Sequence, residues 1–218
     1  MSAKKGKTQM FSRNARLLVA VCALLATMAV AAVAQEEGET AAPGADAAQV
    51  TAIPEEASEA VAVLDRSRES GDALPAEVAE KVDEEAPFGA NPDLSRRAIG
   101  SLSNSVYVVP ADDHVCVALT HGEGANMRCP ETDDLAAGQA GPTTVLLEGG
   151  SIAVYGVVPD GVDSVTVQTS GSGAVDAEIE AEGNAYLAVL PDGLTPEAAS
   201  YTGPSGSVEF PLYDPSAE

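Results

Sequence analysis

Beyond about residue 100, apolar and polar positions alternate in short runs separated by turn residues, and one stretch sets the pattern. Val154 to Gln168 reads V-Y-G-V-V-P-D-G-V-D-S-V-T-V-Q. Val154, Tyr155, Val157 and Val158 are the β-branched and aromatic residues that suit a pleated surface. Pro159-Asp160-Gly161 then stops the strand, because Pro fixes φ, Asp can bond nearby backbone and Gly accepts positive φ. Val165 and Val167 alternate with Ser164, Thr166 and Gln168, the period-2 mark of a strand with one wet face. The stretch predicts a hairpin. It has echoes in V-Y-V-V-P-A-D-D (106–113) and A-Y-L-A-V-L-P-D-G (185–193). Pro110, Pro159 and Pro191 are unevenly spaced, which predicts one all-β domain reusing a local solution rather than a solenoid or propeller.

Further strands are expected at Ser105–Val109, His114–Thr120, Thr143–Leu147, Ala174–Glu182, Ala185–Leu190 and Val208–Leu212, with Ser170–Gly173 as a hairpin turn. Short strands with frequent turns and no long helix between them predict a mainly β fold. It takes the form of a small antiparallel β-sandwich or barrel over residues 103–213.

Upstream the period changes to that of a helix. Ile53, Ala57, Ala60, Val61 and Leu64 fall on one face, and Leu74, Val78 and Val82 recur at i, i+4, i+8 behind Pro75. Asn91-Pro92 predicts a third short helix through Ala98. Residues 51–100 thus form a helical region with thin apolar stripes, which pack either on the β domain or on a partner. Residues 35–50 read as a disordered linker. Ahead of them Leu17–Ala34 is uncharged for 18 residues, follows a basic flank and ends Ala32-Val33-Ala34. This predicts an N-terminal hydrophobic helix over residues 1–34, acting as a signal peptide or a membrane anchor. Either way residues 35–218 lie outside the cytoplasm. Cys22 belongs to this apolar run.

Charge narrows the partners. The chain has 218 residues and a formal net charge of −23. Six basic and all thirty-four acidic residues follow position 34, a net −28 for that part. So acidic a body repels phosphate backbones and excludes nucleic acid as an expected partner, while cations or basic proteins suit it. Asp176, Glu178, Glu180 and Glu182 alternate with apolar residues, reading as a charged outer strand that resists sheet-to-sheet association. The rival reading is a strip for a cation or a basic partner.

Candidate chemistry is sparse. Cys116 and Cys129 are the only cysteines outside the N-terminal segment. An even pair in an exported domain reads as a disulfide, here stapling a strand to the loop Gly122–Arg128. His114, Cys116, His121 and Cys129 offer a rival zinc set, although the spacing H-x-C-x4-H-x7-C is not a usual zinc-finger spacing. His114 with Asp112 or Asp113 is the first half of a hydrolytic triad. No nucleophile elbow, phosphate loop, dinucleotide fingerprint or H-E-x-x-H helix occurs. No catalytic residue, cofactor or metal is therefore expected.

The segments N-P-D-L-S-R-R (91–97), V-Y-V-V-P (106–110), H-V-C-V (114–117), the second Cys at 129 and V-Y-G-V-V-P-D-G-V (154–162) resemble a group of exported envelope proteins of high-GC Gram-positive bacteria. The resemblance covers about residues 88–170 and implies an envelope location and a paired Cys. It carries no activity. The sequence thus predicts an extracytoplasmic, non-catalytic envelope protein, a binding or structural module for a protein or cell-surface partner. It would meet the membrane through residues 17–34 where the signal is retained.

Overall fold

The computed structural model describes residues 48–215, apart from 86, 102–103, 123, 172–176 and 182, and of 177–180 the backbone. The predicted signal or anchor lies outside the described residues, as do most of the linker and Asp176 and Glu182. Among the described residues no helix is long and apolar enough to cross a membrane.

The fold is mainly β. Among the described residues three short α-helices, α1 (Glu55–Ala60), α2 (Ala76–Glu85) and α3 (Thr132–Ala136), accompany eleven strands. These are β1 (Arg96–Gly100), β2 (Asn104–Pro110), β3 (Val115–His121), β4 (Gly124–Arg128), β5 (Thr143–Leu146), β6 (Ile152–Val157), β7 (Ser164–Gly171), β8 (Ala177–Glu180), β9 (Ala185–Leu190), β10 (Leu194–Gly203) and β11 (Gly206–Pro211). They form three antiparallel sheets, ordered β1-β2-β3-β4, β5-β6-β9 and β11-β10-β7-β8.

The sheets stack rather than closing into one sandwich or barrel. The inner face of the first sheet (Val106, Val108, Val117, Leu119) packs on Ala153, Tyr155 and Val157 of the second. The opposite face of the second (Ile152, Val154, Tyr186, Ala188) packs on Val165, Val167, Ala199 and Tyr201 of the third. The outer face of the first sheet meets Leu74 and Val82. All six residues of β6 are therefore buried, which is why its sequence is apolar without alternation. Gly156 faces Tyr186 across the β6–β9 pair, and a Cβ there would lie 2.7 Å from the Tyr186 hydroxyl. Glycine is required by that close approach, not by φ.

The stretch Val154–Gln168 is not a hairpin. β6 pairs with β5 and β9, whereas β7 pairs with β8 and β10. Pro159-Asp160-Gly161 is a corner that carries the chain from the second sheet to the third. Gly161 has φ +84°, as the turn chemistry requires. Asp160 accepts from Ala62 N–H (2.9 Å) and Asn184 Nδ2 (2.7 Å), tying the corner to the end of α1. Pro191-Asp192-Gly193 carries β9 to β10 in the same way, with Gly193 at φ +85°. The two corners are 32 residues apart, and so are the facing pairs Tyr155–Leu187 and Val167–Ala199. An antiparallel pair is locally two-fold symmetric about facing residues. One local axis therefore relates β6–corner–β7 to β9–corner–β10. Of the three Pro turns only Pro110 stands apart, ending a strand whose hairpin stays within the first sheet.

Five elements differ from expectation. The third helix ends after a single turn, Pro92–Leu94, capped by Asn91. Arg96–Gly100 then pairs with β2 instead of continuing it, because Ser95 and Arg96 are buried and bonded to their surroundings. Gly124–Arg128 is a strand, not a loop. β10 was hidden by Pro196, which sits at a break in register beside Ala198. α3 has no apolar period to announce it. The stripes of the first two helices pack in cis: Ala57, Ala60 and Leu64 join the first core, and Leu74 and Val82 cover the first sheet.

The helical region is locked to β1 by one carboxylate. Asp72, 2% exposed, accepts from Arg66 Nη1 (2.7 Å) and Nη2 (2.5 Å), Glu69 N–H (2.6 Å) and Arg97 N–H (2.8 Å). Arg66 also donates to the Arg97 carbonyl, and Arg96 Nε donates to the Arg66 carbonyl. Burial alone would push the Asp72 carboxyl up; the Arg66 guanidinium and the two amides outweigh it and hold it well below the usual carboxylate range. Replacing Asp72 with Ala is expected to cost about 2–4 kcal/mol, read by urea unfolding. A carboxyl depressed in the folded state contributes fully above its unfolded pKa of about 4 and loses that contribution as pH falls below it. Acid should therefore destabilise the parent protein more steeply than Asp72→Ala.

Candidate functional site

Cys116 and Cys129 form a disulfide, with Cα atoms 3.9 Å apart. The β3–β4 register places Val117 opposite Arg128, so the two cysteines face each other on neighbouring strands. The bridge staples strand to strand, where a strand-to-loop staple was expected. It leaves β4 covalently held as the last strand of the first sheet.

The histidines flank β3 without meeting. His114 forms a bridge with Glu131 just before the strand, and its Nδ1 lies 2.5 Å from Asp113 Oδ1. Its ring stacks on Phe88 at 3.8 Å between centroids, and Phe88 takes a left-handed conformation (φ +52°). His121 ends the strand and accepts from Asn126 Nδ2 through Nε2 at 2.8 Å. Seven positions separate the two rings, and the odd spacing puts them on opposite faces. With both cysteines paired, His114, Cys116, His121 and Cys129 do not assemble into a zinc site. Among the described residues no group of three His, Cys, Asp or Glu side chains could hold a metal ion.

The acidic residues gather at one end. Glu56, Asp112, Asp113, Glu131 and Asp133 line a cleft of about 430 Å³ beside the β2–β3 turn. Their nearness makes this end strongly negative. Only the backbone of Glu178 and Glu180 is described, so the acidic strip lies outside what the side chains show.

A different feature, missed from sequence, is an apolar recess. α2 covers β2 and part of β3, and leaves a groove beside β4. Val78, Val82, Phe88, Ala118, Met127 and Cys129 line a depression of about 350 Å³ there. A separate recess of about 200 Å³ lies on the other side of Val78, lined by Tyr107, Thr120, His121, Pro75 and Glu77. The floor is shallow because Ala118, Thr120 and Ala125 are small. The Val115 N–H bonds the Pro130 carbonyl, which fixes the phase of the ladder. Residues 124, 126 and 128 exchange bonds with β3, whereas Ala125, Met127 and Cys129 turn their N–H and C=O groups away from it. Among the described residues no strand lies beyond them. The arrangement is a helix-walled apolar groove along a free sheet edge, suited to an extended chain. The signal for it was weak: the sequence G-A-N-M-R has little β propensity.

Reduction, or Cys116→Ala with Cys129→Ala, is expected to cost roughly 3 kcal/mol by the chain-entropy model for a loop of this size. The expected readout is a lower unfolding midpoint with the far-UV spectrum of the folded state retained. Set beside known proteins, the chain matches no family model, and no curated protein or solved structure gives a significant match.

Proposed function

We propose that this protein works outside the cytoplasm as a non-catalytic binding or structural module of the cell envelope. The observation that carries the reading is the disulfide between β3 and β4, since such bridges persist in oxidising compartments. The apolar segment Leu17–Ala34 with its basic flank supports export. The resemblance of residues 88–170 to exported envelope proteins supports the same location. A body of net −28 beyond residue 34 favours a basic or neutral partner over nucleic acid. The test is fractionation and intact mass of the protein from its own cells. The expected result is an extracytoplasmic chain, trimmed after Ala34 or held at the membrane, with Cys116 and Cys129 paired. A cytoplasmic chain with free thiols would overturn the reading.

A second reading has one observation in its favour, the contact between Asp113 and His114 at 2.5 Å. It makes the protein a secreted hydrolase with His114 as base and Asp113 as its orienting acid. Against it, His114 is 8% exposed and Phe88 covers one face of the ring. On the hydrolase reading His114→Ala abolishes hydrolysis of any ester or peptide substrate the protein turns over. Turnover unchanged in that variant ends it.

A further inference from the structure

We infer that the groove between α2 and β4 receives an extended segment of a partner polypeptide. The segment adds as a fifth strand to the first sheet, with apolar side chains at alternate positions and basic residues at its flanks. The inference rests on the reading of the protein as a binding module and names the site and the partner's chemistry.

The first observation is that β4 lacks the usual protection of a sheet edge. Natural edges are blunted by proline, bulges, inward charges or a covering element. At the other end of this sheet, β1 has a register break at Arg97–Ile99. There the Arg97 N–H bonds Asp72 and the Arg97 carbonyl accepts from Arg66, so that edge is covered. In the third sheet, β11 ends in Pro211 and carries Glu209. β9 runs against β1, β2 and β8 with most of its residues buried. β4 has no proline and no register break, and its one charge, Arg128, reaches back to the Pro142 carbonyl at 2.8 Å. Ala125 and Met127 thus present N–H and C=O groups outward from a strand that the disulfide holds straight.

The second observation is the groove itself. An incoming strand bonded to Ala125 and Met127 would place alternate side chains over Val78, Val82, Phe88 and Met127. That recess gives specificity, as the backbone bonds give affinity.

The third is charge. α2 forms the wall and carries five acids against one lysine; Glu85 lines the groove paired with Lys81 at 3.9 Å, and Glu77 lines the neighbouring recess. An acidic segment is repelled there, and so is a second copy of this chain, which brings its own net −28. An apolar strand flanked by lysine or arginine fits both floor and rim.

The test titrates the full-length protein into a labelled synthetic peptide, Lys-Lys-Val-Thr-Val-Thr-Val-Lys-Lys, followed by fluorescence anisotropy. The expected result is saturable binding, weakened roughly tenfold or more when glutamates replace the lysines. Ala125→Pro removes an outward donor without touching a ladder bond, and should weaken binding roughly tenfold or more at an unchanged melting temperature. Should that variant fail to fold, Ala125→Lys, which puts a charge in the groove, serves in its place with the same expectation. No saturable binding, or equal binding by the variants, overturns the inference. A concentration-dependent dimer that Ala125→Pro abolishes overturns it in favour of a second copy. None of these failures touches the envelope reading, which falls only if the chain is found in the cytoplasm with reduced cysteines.

Discussion

The rest of this fold is arranged around β6, the centre of a three-stranded sheet, which has no wet face. β6 and most of β9 are buried on both sides, so the first and third sheets are held by a shared apolar slab instead of by each other. The slab is built from Val, Ala, Leu and Tyr, and packing this close leaves little room for a change of shape. Two tyrosines mark the limit. Tyr186 demands a glycine opposite it, and the Tyr155 hydroxyl is buried with no hydrogen-bond partner among the described residues. Burial, opposed only weakly by Arg128, pushes the Tyr155 phenol up to about 12.

The strands were legible in the sequence where burial is periodic or complete. Val165 and Val167 alternate with polar residues because β7 has one core face. Ala185–Leu190 was placed at its observed limits because turn residues bound it on both sides. What sequence could not show was which strand belongs to which sheet. A Pro-Asp-Gly corner looks the same whether the chain returns beside itself or steps to the next layer, because the local φ angles are the same. The partner of each strand is a long-range fact, fixed here by Tyr155 facing Leu187 and Val167 facing Ala199. The Asn91 cap was read correctly, but pairing with β2 overrode the helix that the cap began.

The site followed the same rule. The cysteine pair was legible from its even count and apparent compartment. The groove was not, because it is made by an absence: α2 is too short to cover all of the first sheet, and small side chains line the part left bare. The contrast between the two ends of that sheet is instructive. At β1 a buried carboxylate with an arginine occupies the outward backbone groups; at β4 nothing described does. Both ends sit in one sheet, and one is closed by a polar network while the other is kept rigid by sulfur.

The local two-fold axis has a consequence for how the molecule comes apart. Each symmetric half begins in the second sheet and finishes in the third, so no cut between those sheets falls at a chain boundary. Peeling the third sheet away would drag both corners with it and expose the slab. The chain crosses between these two sheets three times, at β6–β7, β8–β9 and β9–β10, so separating them would strain all three connections. The first sheet is joined to the slab by side-chain packing and by one chain connection, from β4 through α3 to β5. β4 and its disulfide thus belong to the sheet with the fewest chain connections to the centre of the protein.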